Sequence, residues 1–200
     1  MGFISIDEFY GRRGLSGLGN PDIRFVGIPE GDAGTEETIR WMRKLAIDGA
    51  KDPAVIFKAR EITANVPSKD YVAEAKAVFD WVRANIKYRM DPHTPPEHES
   101  DENYIADMVS VPSRTLSDGQ GDCDDHSTLI CSLAMALGKQ CAFRTVNADK
   151  VRPDQASHVY PLWGLPDGRL IPMDTTSLSK PFGWEPKAPI AWNHKTYMVT

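Results

Sequence analysis

Cysteine is scarce and odd in number: three thiols in 200 residues. Cys123 and Cys131 fall on one predicted helix about 12 Å apart at the helical rise, too far to bridge, so no disulfide framework is expected. Long apolar runs are missing as well. None approaches the roughly 18 residues of a membrane span, and the opening MGFISIDEFYGRRG lacks the basic head and apolar stretch of a signal peptide. A soluble, unsecreted chain is the expectation. Basic charge is not in excess either: the net charge is −5, with no basic stripe or aromatic-basic interleaving, which excludes nucleic acid as a partner. What is present, 41% hydrophobic residues, suffices for one domain with a core that needs no disulfide or metal support.

Residues 1–34 carry eight glycines and little periodicity, and read as an extended arm with scattered apolar anchors. Three helices follow within a scaffold spanning 35–88. Thr35 is the expected N-cap of the first, which carries Ile39, Met42, Leu45 and Ala46 to a stop at Gly49. Asp52-Pro53 opens the second in the favoured cap and N1 positions. Ser68 is the expected cap of the third, with Val72, Ala75, Phe79, Val82 and Ile86 on one face. Residues 89–120 are polar, acidic and proline-containing, an unusually long loop. Its His93 and His98 match no metal-ligand spacing and read as solvated surface.

The stretch Gly119-Gln120-Gly121-Asp122-Cys123-Asp124-Asp125-His126-Ser127 joins a flexible turn, a cysteine and a helix start. Asp122 suits the N-cap, which puts Cys123 at the first helical position of a helix over 122–138. A thiol there meets unpaired N–H groups and the positive end of the helix dipole, both of which favour the thiolate. Cys123 is therefore the candidate nucleophile. Its backbone N–H, with the Gln120 side chain, is a candidate oxyanion donor. His126 lies about 300° around the helix from Cys123 and is a secondary site residue, the rival base. Cys131 and Cys141 have no such context and read as small core residues.

A sheet is expected over 141–176: one strand at Cys141 to Val146, then runs from Ser157 to Trp163 and Arg169 to Thr175 around the turn Gly164-Leu165-Pro166-Asp167-Gly168. A hairpin symmetric about Pro166 pairs Trp163 with Arg169, Pro161 with Ile171 and His158 with Asp174. Directly opposed residues have Cβ atoms about 4.5–5.5 Å apart, within reach of an imidazole-carboxylate hydrogen bond. Cys123, His158 and Asp174 then supply nucleophile, general base and orienting carboxylate. Residues 178–200, rich in Pro and aromatics, read as an irregular tail whose rings cover the domain.

With Thr115-Leu116 leading into Gly119 to Cys123, Ala136-Leu137-Gly138, Ser157-His158-Val159-Tyr160 and Ile171 to Thr176, the chain resembles the transglutaminase-like cysteine protease superfamily from about Asp70 to Ser177, including Ile86-Lys87-Tyr88. The resemblance implies an α+β, papain-like core over 35–177. It also implies amide hydrolysis of a protein or peptide through an acyl-enzyme, with acyl transfer to amines as the alternative. No cofactor is required, although acidic residues flanking the cysteine bind calcium in some bacterial members, and Asp122 and Asp124 occupy those positions here. A third alternative is a phage virion or assembly protein that keeps the fold, with arm and tail as protein-binding surfaces. Its location would be virion-associated, against cytoplasmic for an enzyme.

Overall fold

A computed structural model describes residues 31–90, 108–151, 153–186 and 194–199. Most of the expected arm, the two loop histidines and Trp192 lie outside the described residues. Helix α1 spans Asp32–Gly49 and buries Ile39, Met42 and Ala46. It begins three residues before the expected cap, because Gly31 takes a positive φ of 69° as N-cap and the Thr35 N–H is spent inside the first turn on the Gly31 carbonyl, 3.0 Å away. Helix α2, Pro53–Thr63, starts as its sequence dictates, with Asp52 accepting from the Ala54 N–H at 2.8 Å. Helix α3, Tyr71–Asn85, is capped by Asp70, not Ser68: its carboxylate accepts from the Ala73 N–H at 3.0 Å. Lys69, at φ 66°, turns the chain so that the third polar residue of Ser68-Lys69-Asp70 reaches the cap position.

The long loop is not all loop. Strand β1, Lys87–Tyr88, pairs in parallel with β2, Gln120–Gly121, and helix α4, Pro112–Asp118, lies between them in sequence, ending on Gly119 at φ 63°. Proline at N1 and glycine just past the end bracket this helix, a signal outweighed in the sequence by the surrounding polar composition.

Helix α5, Cys123–Ala136, is the centre of the molecule, buried at every residue from Asp124 to Ala134. It packs against the four helices that precede it among the described residues and against β3, Cys141–Val146, and β4, His158–Gly164. Leu129, Ile130 and Leu133 meet Met42, Val55, Phe79, Phe143, Trp163 and Met173 in one continuous core. Each of those aliphatic side chains contributes about 1.5–3 kcal/mol by leaving water. The approach of α1 is close enough to exclude a side chain at its end: a Cβ on Gly49 would lie 2.5 Å from Pro112 Cγ and 2.8 Å from Ser132 Oγ.

The sheet is antiparallel, in the order β5-β4-β3-β6, with β5 at Leu170–Pro172 and β6 at His194–Met198. Helices followed by a small antiparallel sheet are the architecture expected from the sequence. Two details differ. The hairpin pairs Trp163 with Ile171 and Leu162 with Pro172, a register two residues from the expected one. Its turn centres on Asp167, whose carboxylate accepts from the Arg169 N–H at 3.0 Å, while Gly168 at φ 85° closes on the Leu165 carbonyl. The second difference is β6. Part of the tail is an edge strand on β3, held by backbone pairing that composition does not announce.

The segment before β6 also packs on the domain. Phe182 meets Phe79 edge-on at 5.5 Å, Arg83 donates to the Lys180 carbonyl at 2.7 Å, and Glu185 accepts from the Tyr160 hydroxyl at 2.7 Å and from Arg144. No helix of the described residues is long and apolar enough to cross a membrane.

Candidate active site

The site forms where the N-terminus of α5 meets the sheet. Asp122 has an extended backbone and accepts from the Asp124 N–H at 3.1 Å, so it caps the helix and leaves Cys123, half-buried, as its first residue. The preceding turn must contain glycine. A Cβ on Gly121 would lie 2.5 Å from the Cβ of Asp125 and 2.6 Å from its Oδ2. Asp125 in turn anchors the chain entering α4, accepting from the Ser110 N–H at 2.7 Å.

His158 is the first residue of β4, and its Nε2 lies 2.9 Å from Asp174 Oδ2. The other Asp174 oxygen accepts twice from Thr176, from the N–H at 3.0 Å and the hydroxyl at 2.7 Å. Burial works to raise the Asp174 pKa, but the hydrogen bonds from His158 and Thr176 outweigh it and hold the carboxyl below its ordinary value. The two-residue change of register does not separate the pair. Side chains alternate with period two, so the offset keeps both on one face and makes them diagonal neighbours.

One hydroxyl links the helix start to the strand that bears His158. Ser127 Oγ is 2.6 Å from the Cys123 carbonyl and 3.3 Å from the carbonyl of Val159. His126 lies alongside, 1% exposed, with Nδ1 2.8 Å from Thr175 Oγ1. Burial first, opposed by the Lys87 carbonyl and the charges of Asp122 and Asp174, brings its pKa down to about 4.

Gln120 is half-buried in β2, its backbone fixed by the pairing with Lys87. Next to Lys87 and opposite Gly121 is Tyr88, which sequence reasoning noted only as part of a segment. Its ring lies 6.4 Å from that of His126, and burial, then the charges of Cys123, Asp122, Asp124 and Asp174, push its pKa up to about 12. The phenol therefore stays protonated beside the thiol. Asp122, Asp124 and Asp125 can each present a carboxylate oxygen within 4.8 Å of the others. Asp125 is the member the sequence reading missed: it sits one position beyond the residues flanking the cysteine, and the helical turn folds it back toward them. Burial, and secondarily Asp122, raise its pKa to about 6.

The family model of the transglutaminase-like superfamily matches residues 57–175, more than half of the chain and all three of Cys123, His158 and Asp174. The chain belongs to the transglutaminase-like superfamily. Three solved structures are similar to this transglutaminase-like chain at low identity. One is a candidate cysteine protease from Cytophaga hutchinsonii, 18% identical with a TM-score of 0.43 over 82% of this chain and 45% of that one. Another is a candidate protease from Parabacteroides distasonis, at 11%, 0.48, 81% and 29%. The third is LapG of Legionella pneumophila in EGTA-treated form, at 17%, 0.46, 79% and 78%. The chain thus spans less than half the length of the first two. No curated protein matches the sequence.

Proposed function

We propose that this transglutaminase-like domain is a cysteine peptidase or amidase that works through Cys123, His158 and Asp174. The observation that carries the reading is the 2.9 Å hydrogen bond between His158 Nε2 and Asp174 Oδ2 in a chain whose family-matched segment also holds a cysteine at a helix start. Because Nε2 is spent on the carboxylate, Nδ1 is the nitrogen left to take the thiol proton. Asp174 fixes that tautomer and stabilises the imidazolium.

The thiolate attacks the amide carbonyl carbon, and the oxyanion is met by the Cys123 N–H, with Gln120 as the candidate second donor. Collapse of the tetrahedral intermediate breaks the C–N bond, and the leaving amine takes the proton from His158. Water, deprotonated by His158, then hydrolyses the thioester, releasing the acid and restoring the thiol. A primary amine in place of that water would give acyl transfer through the same residues.

The three carboxylates at the helix start suit calcium, a hard cation that prefers oxygen ligands. Asp122, Asp124 and Asp125 would hold it, and a bound cation would neutralise their mutual repulsion. No chemical step depends on it.

Iodoacetamide labelling at neutral pH tests the catalytic reading. Cys123 should react faster than the buried Cys131 and Cys141, and His158→Ala should slow it about tenfold or more, within the range general base catalysis supplies. Labelling of Cys123 unchanged by His158→Ala would defeat the proposal. Peptide cleavage followed by mass spectrometry, with and without a primary amine, separates hydrolysis from transfer.

A further inference from the structure

We propose that His126 is a positioning residue: a buried imidazole that ties the nucleophile helix to the segment carrying Asp174, and so sets Cys123 against the His158-Asp174 pair. The inference rests on the catalytic reading above for what is being positioned.

The polarity of His126 is what requires explanation. It stands near the start of a helix that buries Ser127, Thr128 and Ser132 among Leu129, Ile130, Leu133 and Ala134, and it is 1% exposed and the bulkiest of the buried polar side chains there. An apolar side chain of similar size would fill that space without the penalty of desolvating two ring nitrogens. The Lys87 carbonyl faces the ring, but Nε2 makes no hydrogen bond of ordinary geometry among the described residues, so the imidazole is retained at a cost. What it gains is the contact of Nδ1 with Thr175 Oγ1 at 2.8 Å.

That contact falls at a sensitive point of the chain. Thr175 lies between Asp174, whose Oδ2 faces His158, and Thr176, whose N–H and hydroxyl hold Asp174 Oδ1. Fixing Thr175 therefore fixes the short segment that aims the carboxylate. On the other side, His126 follows Cys123 by about one helical turn, so its ring and the nucleophile move as one rigid unit. Ser127, the next residue, bridges the Cys123 and Val159 carbonyls. Two consecutive residues of α5 thus reach the two segments that supply the rest of the triad.

The surroundings separate this role from that of a general base. Asp122 on its own helix start, Asp174 on the adjoining segment, and the Lys87 carbonyl and Tyr88 phenol of β1 face the ring, yet burial keeps it neutral at neutral pH. A base must also exchange protons with solvent and substrate, and a ring 1% exposed and bonded to a threonine is poorly placed to do so.

The test compares four single variants and one double variant by the rate at which iodoacetamide labels Cys123 at neutral pH, with thermal unfolding measured on each. His126→Asn keeps a polar group near the Nδ1 position and should stay within about threefold of wild type, as should Thr175→Ser. His126→Leu and Thr175→Val remove the bond from its two ends. Both should slow labelling about tenfold, toward the His158→Ala rate, while Cys131 and Cys141 remain protected. The double variant should be no slower than either single one, because both delete the same interaction. Wild-type rates in His126→Leu and Thr175→Val would overturn the inference. So would rates that follow thermal stability alone, with His126→Asn as slow as His126→Leu. If His126→Leu does not fold, Thr175→Val, which preserves volume, decides. A wild-type rate equal to that of His158→Ala is a different failure: it removes the catalytic reading itself.

Discussion

Asp125 holds the sharpest electrostatic conflict of any single residue in the site. Burial, reinforced by Asp122, raises its pKa to about 6, so a charged carboxylate is carried in the fold at neutral pH at the expense of stability. The sign follows from linkage. Between the ordinary carboxylate range and about pH 6 the folded state binds more protons than the unfolded one, so stability declines as pH rises through that window and stays low above it. Asp125→Asn keeps an acceptor for the Ser110 N–H and removes the charge. We expect urea denaturation in the presence of a chelator to show a gain on the order of 1–3 kcal/mol at pH 7.5, shrinking toward nothing near pH 4. A gain of the same size at both pH values would place the effect in packing instead of charge. Gly121→Ala tests the same contact sterically. With its Cβ 2.5 Å from that of Asp125, it should cost about 1–3 kcal/mol, as overpacking does.

At the scale of elements, the sequence revealed most where a side chain itself makes the local structure. Asp52-Pro53 and Asp122 cap their helices as their chemistry dictates, and the helical period of Leu129, Ile130 and Leu133 located the central helix. The caps of α1 and α3 were misplaced, by four residues and by two, because glycine at positive φ and a left-handed Lys69 shift the chain, and neither backbone state can be read from residue type alone. Helix α4 was missed because the polar composition around it outweighed its bracketing proline and glycine, and strand β6 because it needs β3, distant in sequence, as a template. The hairpin register was wrong by two residues, since Asp167 and Gly168 set the turn, yet His158 still met Asp174 because an even offset preserves the face. The family resemblance implied Asp122 and Asp124 as cation ligands, and only the helical turn brings Asp125 to them. Packing between elements can be checked at Gly49, which admits no Cβ beside Pro112 and Ser132. Gly49→Ala should lose about 1–3 kcal/mol in urea denaturation, with labelling of Cys123 in the folded fraction unchanged.

At the scale of the whole molecule, the central helix is clasped, among the described residues, between four helices and a four-stranded sheet, and the candidate site lies where its half-buried start meets that sheet. Burial along α5 from Asp124 to Ala134 fixes the axis and with it the place of Cys123. This gathers negative charge at one end: Asp122, Asp124 and Asp125 beside the thiol. Calcium at that end should raise the Tm and a chelator should lower it again, with the response lost in Asp124→Asn. A Tm indifferent to calcium in the wild type would remove the ion from the picture without touching the triad.

The coupling of Cys123 to His158 and Asp174 is the central claim, and a single comparison of labelling rates at about pH 6.5 tests it most directly. Wild-type Cys123 should react with iodoacetamide about tenfold or more faster than in His158→Ala, with Asp174→Asn between the two or equal to the slower. Equal rates in all three folded proteins would contradict it.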